Sequence, residues 1–194
     1  MQNQTEIEEE EMVLEKAIEV AAKAHLGQLR KGTKVPYITH PFSVGMILAR
    51  AGCRDEVIAA GILHDTVEDT SMTLSQIREQ FGYAVAEIVK GASEPDRSLS
   101  WEKRKKHTIN FLKTAPLDVR LVTCADKLHN IRTIASAYRE VGDKVWDRFR
   151  RGKKEQEWYY RSLVEVLCDR PDTIEYEHLF NQLKEEVEVL FSVT

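Results

Sequence analysis

Long apolar runs are missing from this sequence. The longest, Val57 to Leu63, is far short of the roughly 20 residues a membrane helix needs, so no transmembrane span and no membrane partner are expected. Cysteine is scarce. Cys53, Cys124 and Cys168 are odd in number and widely spaced, without a C-x-x-C pair, which excludes a disulfide framework and a cysteine metal finger. They read as reduced and mostly buried. Only 5 prolines and 9 glycines occur, and strand-like alternation is rare, so the chain reads as mostly helical. Positive charge is not in excess either. The 28 Lys and Arg face 32 Asp and Glu, for a net charge of −4 and a pI near 5.9, so a nucleic-acid partner is not expected. The local basic runs Lys103 to His107 and Arg148 to Lys154 read either as solvated faces or as a site for a phosphate-rich ligand. The start, Met1 to Glu11, is acidic where a secretory signal is basic and then apolar, so a cytoplasmic location is expected.

What is present is an ordinary globular balance, 42% hydrophobic and 31% charged residues. At about 150 residues per domain, 194 residues predict one domain spanning 1–194. Apolar residues recur at three- and four-residue steps, which predicts an all-α fold. Val13, Ala17, Val20, Ala21 and Ala24 stripe a first helix, with the acidic segment before it suited to a helix N-terminus. Leu29 to Thr39 breaks the pattern as a polar loop, and His40-Pro41 then begins a helix with proline at its first position. A third helix is expected from about Asp55 to Glu68, and a fourth from Thr73, where Thr-Leu-Ser-Gln fits a capping box, to Phe81-Gly82. Further helices are expected over Tyr83–Ala92, Trp101–Lys113, Pro116 to about Tyr138, after Gly152, and over the stripe Phe180, Leu183, Val187, Leu190 and Phe191.

The informative segment runs from Val57 to Thr70. Its first half is apolar all round, as in a helix buried on every side. His64, Asp65, Glu68 and Asp69 then fall within six positions. Their carboxylates repel one another and face the negative end of the helix dipole, so a cation is expected there. His64 with Glu68, and Asp65 with Asp69, are four apart and neighbours on a helix. A second apolar helix carries Asp126 and Asn130, also four apart, which need a polar partner. Singly, each residue is more readily a cap, a core group or a surface pair. Together, His40, His64, Asp65 and Asp126 make a mixed nitrogen and oxygen ligand set that suits Mn²⁺, Fe²⁺ or Zn²⁺ better than Mg²⁺ or Ca²⁺.

This distributed pattern resembles the HD metal-dependent phosphohydrolase superfamily, whose H…HD…D ligands hold a divalent metal. More narrowly, Arg30-Lys31, then Pro36 to Pro41, then His64 to Thr70, then Ala125 to Thr133 resemble the hydrolase domain of RelA/SpoT-type alarmone enzymes. The likeness spans about residues 15–138, with 139–194 left as a helical C-terminal extension to which no role transfers. It implies a helical bundle of the HD-domain type and a small stand-alone alarmone hydrolase. The implied reaction removes the 3′-pyrophosphate of guanosine tetra- or pentaphosphate, releasing pyrophosphate and GDP or GTP.

In that reading His40, His64, Asp65 and Asp126 hold one Mn²⁺, with Fe²⁺ or Zn²⁺ as alternatives. Glu68 and Asp69 orient the attacking water and accept its proton. Arg30 and Lys31 meet the substrate as a stacking or forked guanidinium and as a point charge. Asn130 and Thr133 hydrogen-bond sugar or base, although the Thr133 hydroxyl can equally bond its own helix backbone. His25, His107, His129 and His178 read as ordinary structural or surface residues; the tail segment Trp146 to Arg161 could reach the site, but Tyr159, Leu163 and Val166 at helical spacing read as core. Because imidazole must be neutral to ligate, metal affinity should fall below about pH 6.5. Other HD-family nucleotidases or phosphodiesterases and a non-catalytic nucleotide-sensing module stay open, as do a homo-oligomeric state and guanine against adenine.

Overall fold

The computed structural model of the chain describes residues 2–94, 98–168 and 170–192, with side chains from residue 13 onward except that of residue 171. Among the described residues there are helices and one isolated bridge, between Leu29 and Pro36, but no strand. Helix α1 (Gln2–Ala24) runs through the acidic segment rather than starting after it, and buries Ala17 and Ala21 completely. α2 (Thr39–Arg50) starts before Pro41, which occupies the third helical position. The first four N–H groups of a helix have no intrahelical partner, so proline is tolerated there as well as at the first position.

α3 (Asp55–Leu63) buries every residue from Val57 to Leu63, as its all-round apolar sequence requires. It does not continue to Glu68. His64 and Asp65 form a turn, and a single further turn, α4 (Thr66–Asp69), follows. Side chains take over the end of α3: His64 Nδ1 lies 2.7 Å from Gly61 O, and Thr66 Oγ1 donates to Leu63 O at 2.7 Å. Such local bonds compete with the next helical hydrogen bonds. α5 (Leu74–Ala92) opens with the expected capping box of Thr73 and Gln76. It is broken at Gly82, whose φ of 84° is open to glycine, where two helices were expected.

α6 (Trp101–Leu112) is capped by the Ser100 hydroxyl, and α7 (Leu117–Val141) follows Pro116 and stops at Gly142 (φ 60°). A 3₁₀ segment, Gly142–Arg148, leads into α8 (Lys153–Leu167). A second, Pro171–Tyr176, leads into α9 (Glu177–Ser192). The apolar stripe of α9, including Phe180, Leu183 and Val187, is buried, and α9 packs on α7 and α8.

α3 sits at the centre, packed by α1, α2, α5 and α7. Its crossing with α2 is close because both helices carry glycine there. A Cβ at Gly45 would lie 2.6 Å from Ile62 Cγ1, and one at Gly61 would collide with Leu48 Cδ1. This approach sets the first turn of α2 beside the end of α3, which positions the candidate site. All three cysteines are buried, as expected, and form no disulfide among the described residues. No described helix is long and apolar enough to cross a membrane.

Candidate active site

Three elements meet at one point: the start of α2 brings His40, the turn after α3 brings His64 and Asp65, and the middle of α7 brings Asp126. His40, His64 and Asp65 offer ligand atoms that all lie within 4.8 Å of one another, so this group can hold a divalent metal. Asp126 joins them: its Oδ1 lies 3.2 Å from His40 Nε2 and 3.9 Å from His64 Nε2. The four residues expected from the sequence therefore converge.

The donor chemistry fits a cation. His64 Nδ1 faces a carbonyl, which cannot donate, so that nitrogen carries the proton and Nε2 presents its lone pair. Nε2 is buried, has no hydrogen-bond partner, and points into the cluster 3.1 Å from Asp65 Oδ2. An orphaned imidazole nitrogen among carboxylates is what a metal ligand looks like. Burial opposes charge on His64, but Asp65 and then Asp126 outweigh it and lift its pKa to about 9. A proton and a metal would thus compete for one lone pair. Burial alone would raise Asp65, yet the neighbouring His64 holds it well below the usual carboxylate range. Asp126 is likewise held low against its burial, by Lys127 and then His40; its Oδ2 accepts from Lys127 Nζ at 2.6 Å.

Around this cluster lies a supporting layer. The Tyr37 hydroxyl donates to Asp65 Oδ2 at 2.6 Å and lies 3.2 Å from Asp69 Oδ2, tying the loop to the turn. Burial, then the Asp65 charge, raises the Tyr37 pKa, so the phenol stays a donor. Asn130 Nδ2 donates to Asp126 Oδ1 at 2.5 Å while its Oδ1 accepts from Arg30 at 2.9 Å. His129, read from the sequence as an ordinary residue, has its Nδ1 2.7 Å from His40 Nδ1. One of the two nitrogens must donate. If His40 Nε2 is to face a metal, His40 Nδ1 carries the proton and His129 accepts it. Burial, then His40 and Arg30, pushes His129 down to about 4, keeping it neutral and able to accept. The position of His129 in the run Asp126 to Asn130, one residue before Asn130, was the available signal, but sequence spacing does not reveal which imidazole it meets.

Of the remaining expected residues, all but Asp69 line one of two cavities. Glu68 lines the first, of about 360 Å³, together with His64, Asp65 and Asp126, and its Oε1 accepts the Glu94 N–H. Asp69 stands behind Tyr37. Arg30, Lys31, Asn130 and Thr133 line the second, of about 350 Å³. The Thr133 hydroxyl donates to His129 O at 2.9 Å, the backbone alternative. Lys105, Lys127 and Tyr159 belong to both walls. Leu163 and Val166 are core as expected, and Tyr159, though buried, is also part of the site.

A family model described as HD domain matches residues 17–151. Among curated proteins, a guanosine-3′,5′-bis(diphosphate) 3′-pyrophosphohydrolase of Haemophilus influenzae is 35% identical over 171 residues, covering 86% of this chain and 23% of its own. The bifunctional (p)ppGpp synthase/hydrolase SpoT of Escherichia coli K12 is 39% identical over 128 residues, covering 63% of this chain and 18% of its own. The chain thus spans less than a quarter of the length of these relatives. A crystal structure from Listeria monocytogenes EGD-e superposes with a TM-score of 0.73 at 39% identity, covering 79% of this chain and 99% of that one. The structure of a metazoan ortholog of SpoT, reported to hydrolyse ppGpp, has the same fold, with a TM-score of 0.73 at 24% identity over 90% of this chain and 94% of that one. With His40, His64, Asp65 and Asp126 converging on this helical frame, the chain belongs to the HD domain family.

Proposed function

We propose that this protein is a hydrolase of the 3′-pyrophosphate of guanosine tetra- or pentaphosphate-type alarmones, releasing pyrophosphate and GDP or GTP in the cytosol. It acts as one HD-type unit over 1–194, with its motifs in about 15–138. The observation that carries this reading is the shared wall: the ligand cluster adjoins a cavity lined by Arg30, Lys31, Lys105, Lys127 and Arg148, with no carboxylate among the described lining residues. A cavity of that charge takes a polyanion, and the names of the relatives supply the matching substrate class.

A phosphate anhydride repels an anionic nucleophile, so charge must be neutralised and hydroxide supplied near pH 7. His40, His64, Asp65 and Asp126 would hold the ion, Mn²⁺ in this reading. Bound there, such an ion would supply charge neutralisation for the phosphate and would bring the pKa of a coordinated water from 15.7 toward about 7. Glu68, on the wall of the first cavity and oriented by the Glu94 N–H, accepts the proton of the attacking water. Asp69 shares the Tyr37 hydroxyl with Asp65 and holds that turn in register. Arg30, braced by Asn130 and 5.6 Å from the Tyr37 ring centroid, presents its plane to the purine or forks onto phosphate. Lys31 and Thr133 complete the substrate contacts.

Product analysis tests this. The purified protein with Mn²⁺ is given guanosine and adenosine nucleotides with and without a 3′-pyrophosphate. Pyrophosphate from the 3′-pyrophosphorylated guanosine nucleotides is expected. Orthophosphate from monophosphates instead identifies another nucleotidase, and binding without turnover a sensing module.

A further inference from the structure

The cations of the second cavity are not equivalent. Lys105 is bonded to Glu94, Lys127 to Asp126, and Arg30 to Asn130. Arg148, at the end of the first 3₁₀ segment, has no ion-pair or hydrogen-bond partner among the described residues. In a basic run with Arg150 and Arg151, a solvated face would be the ordinary outcome. Arg150 and Arg151 follow it: both are exposed, and Arg151 pairs with Glu102. Arg148 instead is half-buried and lines the cavity, its stem against the loop of Arg30 and Lys31, 3.7 Å from where a Cβ of Gly32 would stand. It is not on the wall of the first cavity, where the metal-ligand group lies. An unpaired guanidinium held in a cation-lined hollow fits a phosphate group, to which it can fork.

We infer that Arg148 forms a second phosphate subsite, separate from the metal cluster, which takes the 5′-di- or triphosphate arm of the nucleotide. This rests on the reading that the cleaved 3′ arm faces the cluster. The region after residue 140 then has a role: it selects nucleotides that carry phosphate at both ends of the ribose. Lys31, on the same cavity wall, supplies a second charge to that arm.

The test is calorimetric binding of two probes to the Mn²⁺-treated protein: GDP, which carries the 5′ arm, and guanosine 3′-monophosphate, which lacks it. Arg148→Ala should weaken GDP by about tenfold or more, the scale of a lost charge-assisted contact, and leave guanosine 3′-monophosphate within about twofold. Arg150→Ala should alter neither. GDP affinity within twofold of wild type in Arg148→Ala overturns the inference, and so do an equal loss for both probes or a wild type that fails to bind GDP. Pyrophosphate release by the wild type is measured in parallel. Release with unchanged GDP affinity in Arg148→Ala removes the subsite alone, whereas selective loss of GDP without release removes the hydrolase reading alone.

Discussion

Gly45→Ala tests whether the closeness of α2 and α3 is what holds His40 and His64 together. The added methyl would lie 2.6 Å from Ile62 Cγ1 and 3.0 Å from Ile62 Cδ1, where ordinary contact begins near 3.4 Å. The helices must then part by up to about 0.8 Å, the difference between 3.4 and 2.6, or Ile62 must leave its rotamer. Ile62 is β-branched and buried, with χ1 strongly restricted in a helix, so rotation is costly. Helix propensity favours alanine over glycine by about 0.8–1 kcal/mol. Overpacking a tight core costs about 1–3 kcal/mol. The overpacking term wins, for a net loss of up to about 2 kcal/mol. The effect on metal should be larger in proportion. His40 lies five residues before Gly45 and His64 two after Ile62, and ligand distances tolerate only about 0.2 Å. Urea denaturation with and without Mn²⁺, and a metal titration against a competing chelator, read both quantities. A variant as stable as wild type, with unchanged Mn²⁺ affinity, would refute the link between this crossing and the site.

Three other outcomes follow from the site. His129→Leu removes the acceptor for His40 Nδ1 and should cut metal affinity about 10–100-fold, whereas His129→Asn, with an oxygen near the same place, should recover most of it; equal affinities would show that the imidazole pair does not orient His40. Glu68→Gln should keep the metal by elemental analysis but slow turnover by roughly 10²-fold or more, and wild-type turnover would remove it as the proton acceptor. For pH, the His64 value of about 9 moves the expected onset of metal loss upward from 6.5: affinity should still climb between pH 6.5 and 9, and a flat titration there would contradict proton and metal competition. The sign for folding is opposite. A raised histidine pKa contributes stability that is complete below about 6.5 and is lost as pH rises through about 9, so chelator-treated protein should lose stability over that window while Mn²⁺-treated protein should not.

Helical periodicity, the scarcity of glycine and proline, and the apolar run of α3 were enough for the fold class, because burial on a helix face leaves a three- and four-residue signature in the chain. Boundaries were less legible. The turn at His64 and Asp65 depends on side-chain bonds to Gly61 and Leu63 carbonyls, which no propensity encodes. The cluster of His40, His64, Asp65 and Asp126 could be picked out because a histidine and acidic groups in apolar helices have no other cheap partner. What depends on residues far apart in sequence could not. Tyr37 on Asp65, His129 on His40 and Arg148 over the Arg30 loop are contacts across 28, 89 and more than 100 positions, respectively. Sequence alone therefore determined that the chain is helical and which polar side chains of its apolar helices lack a local partner. Tertiary structure decided that these side chains meet, which groups hold them, and which cations line the adjoining cavity, since those depend on how α2, α3 and α7 cross and not on any local pattern.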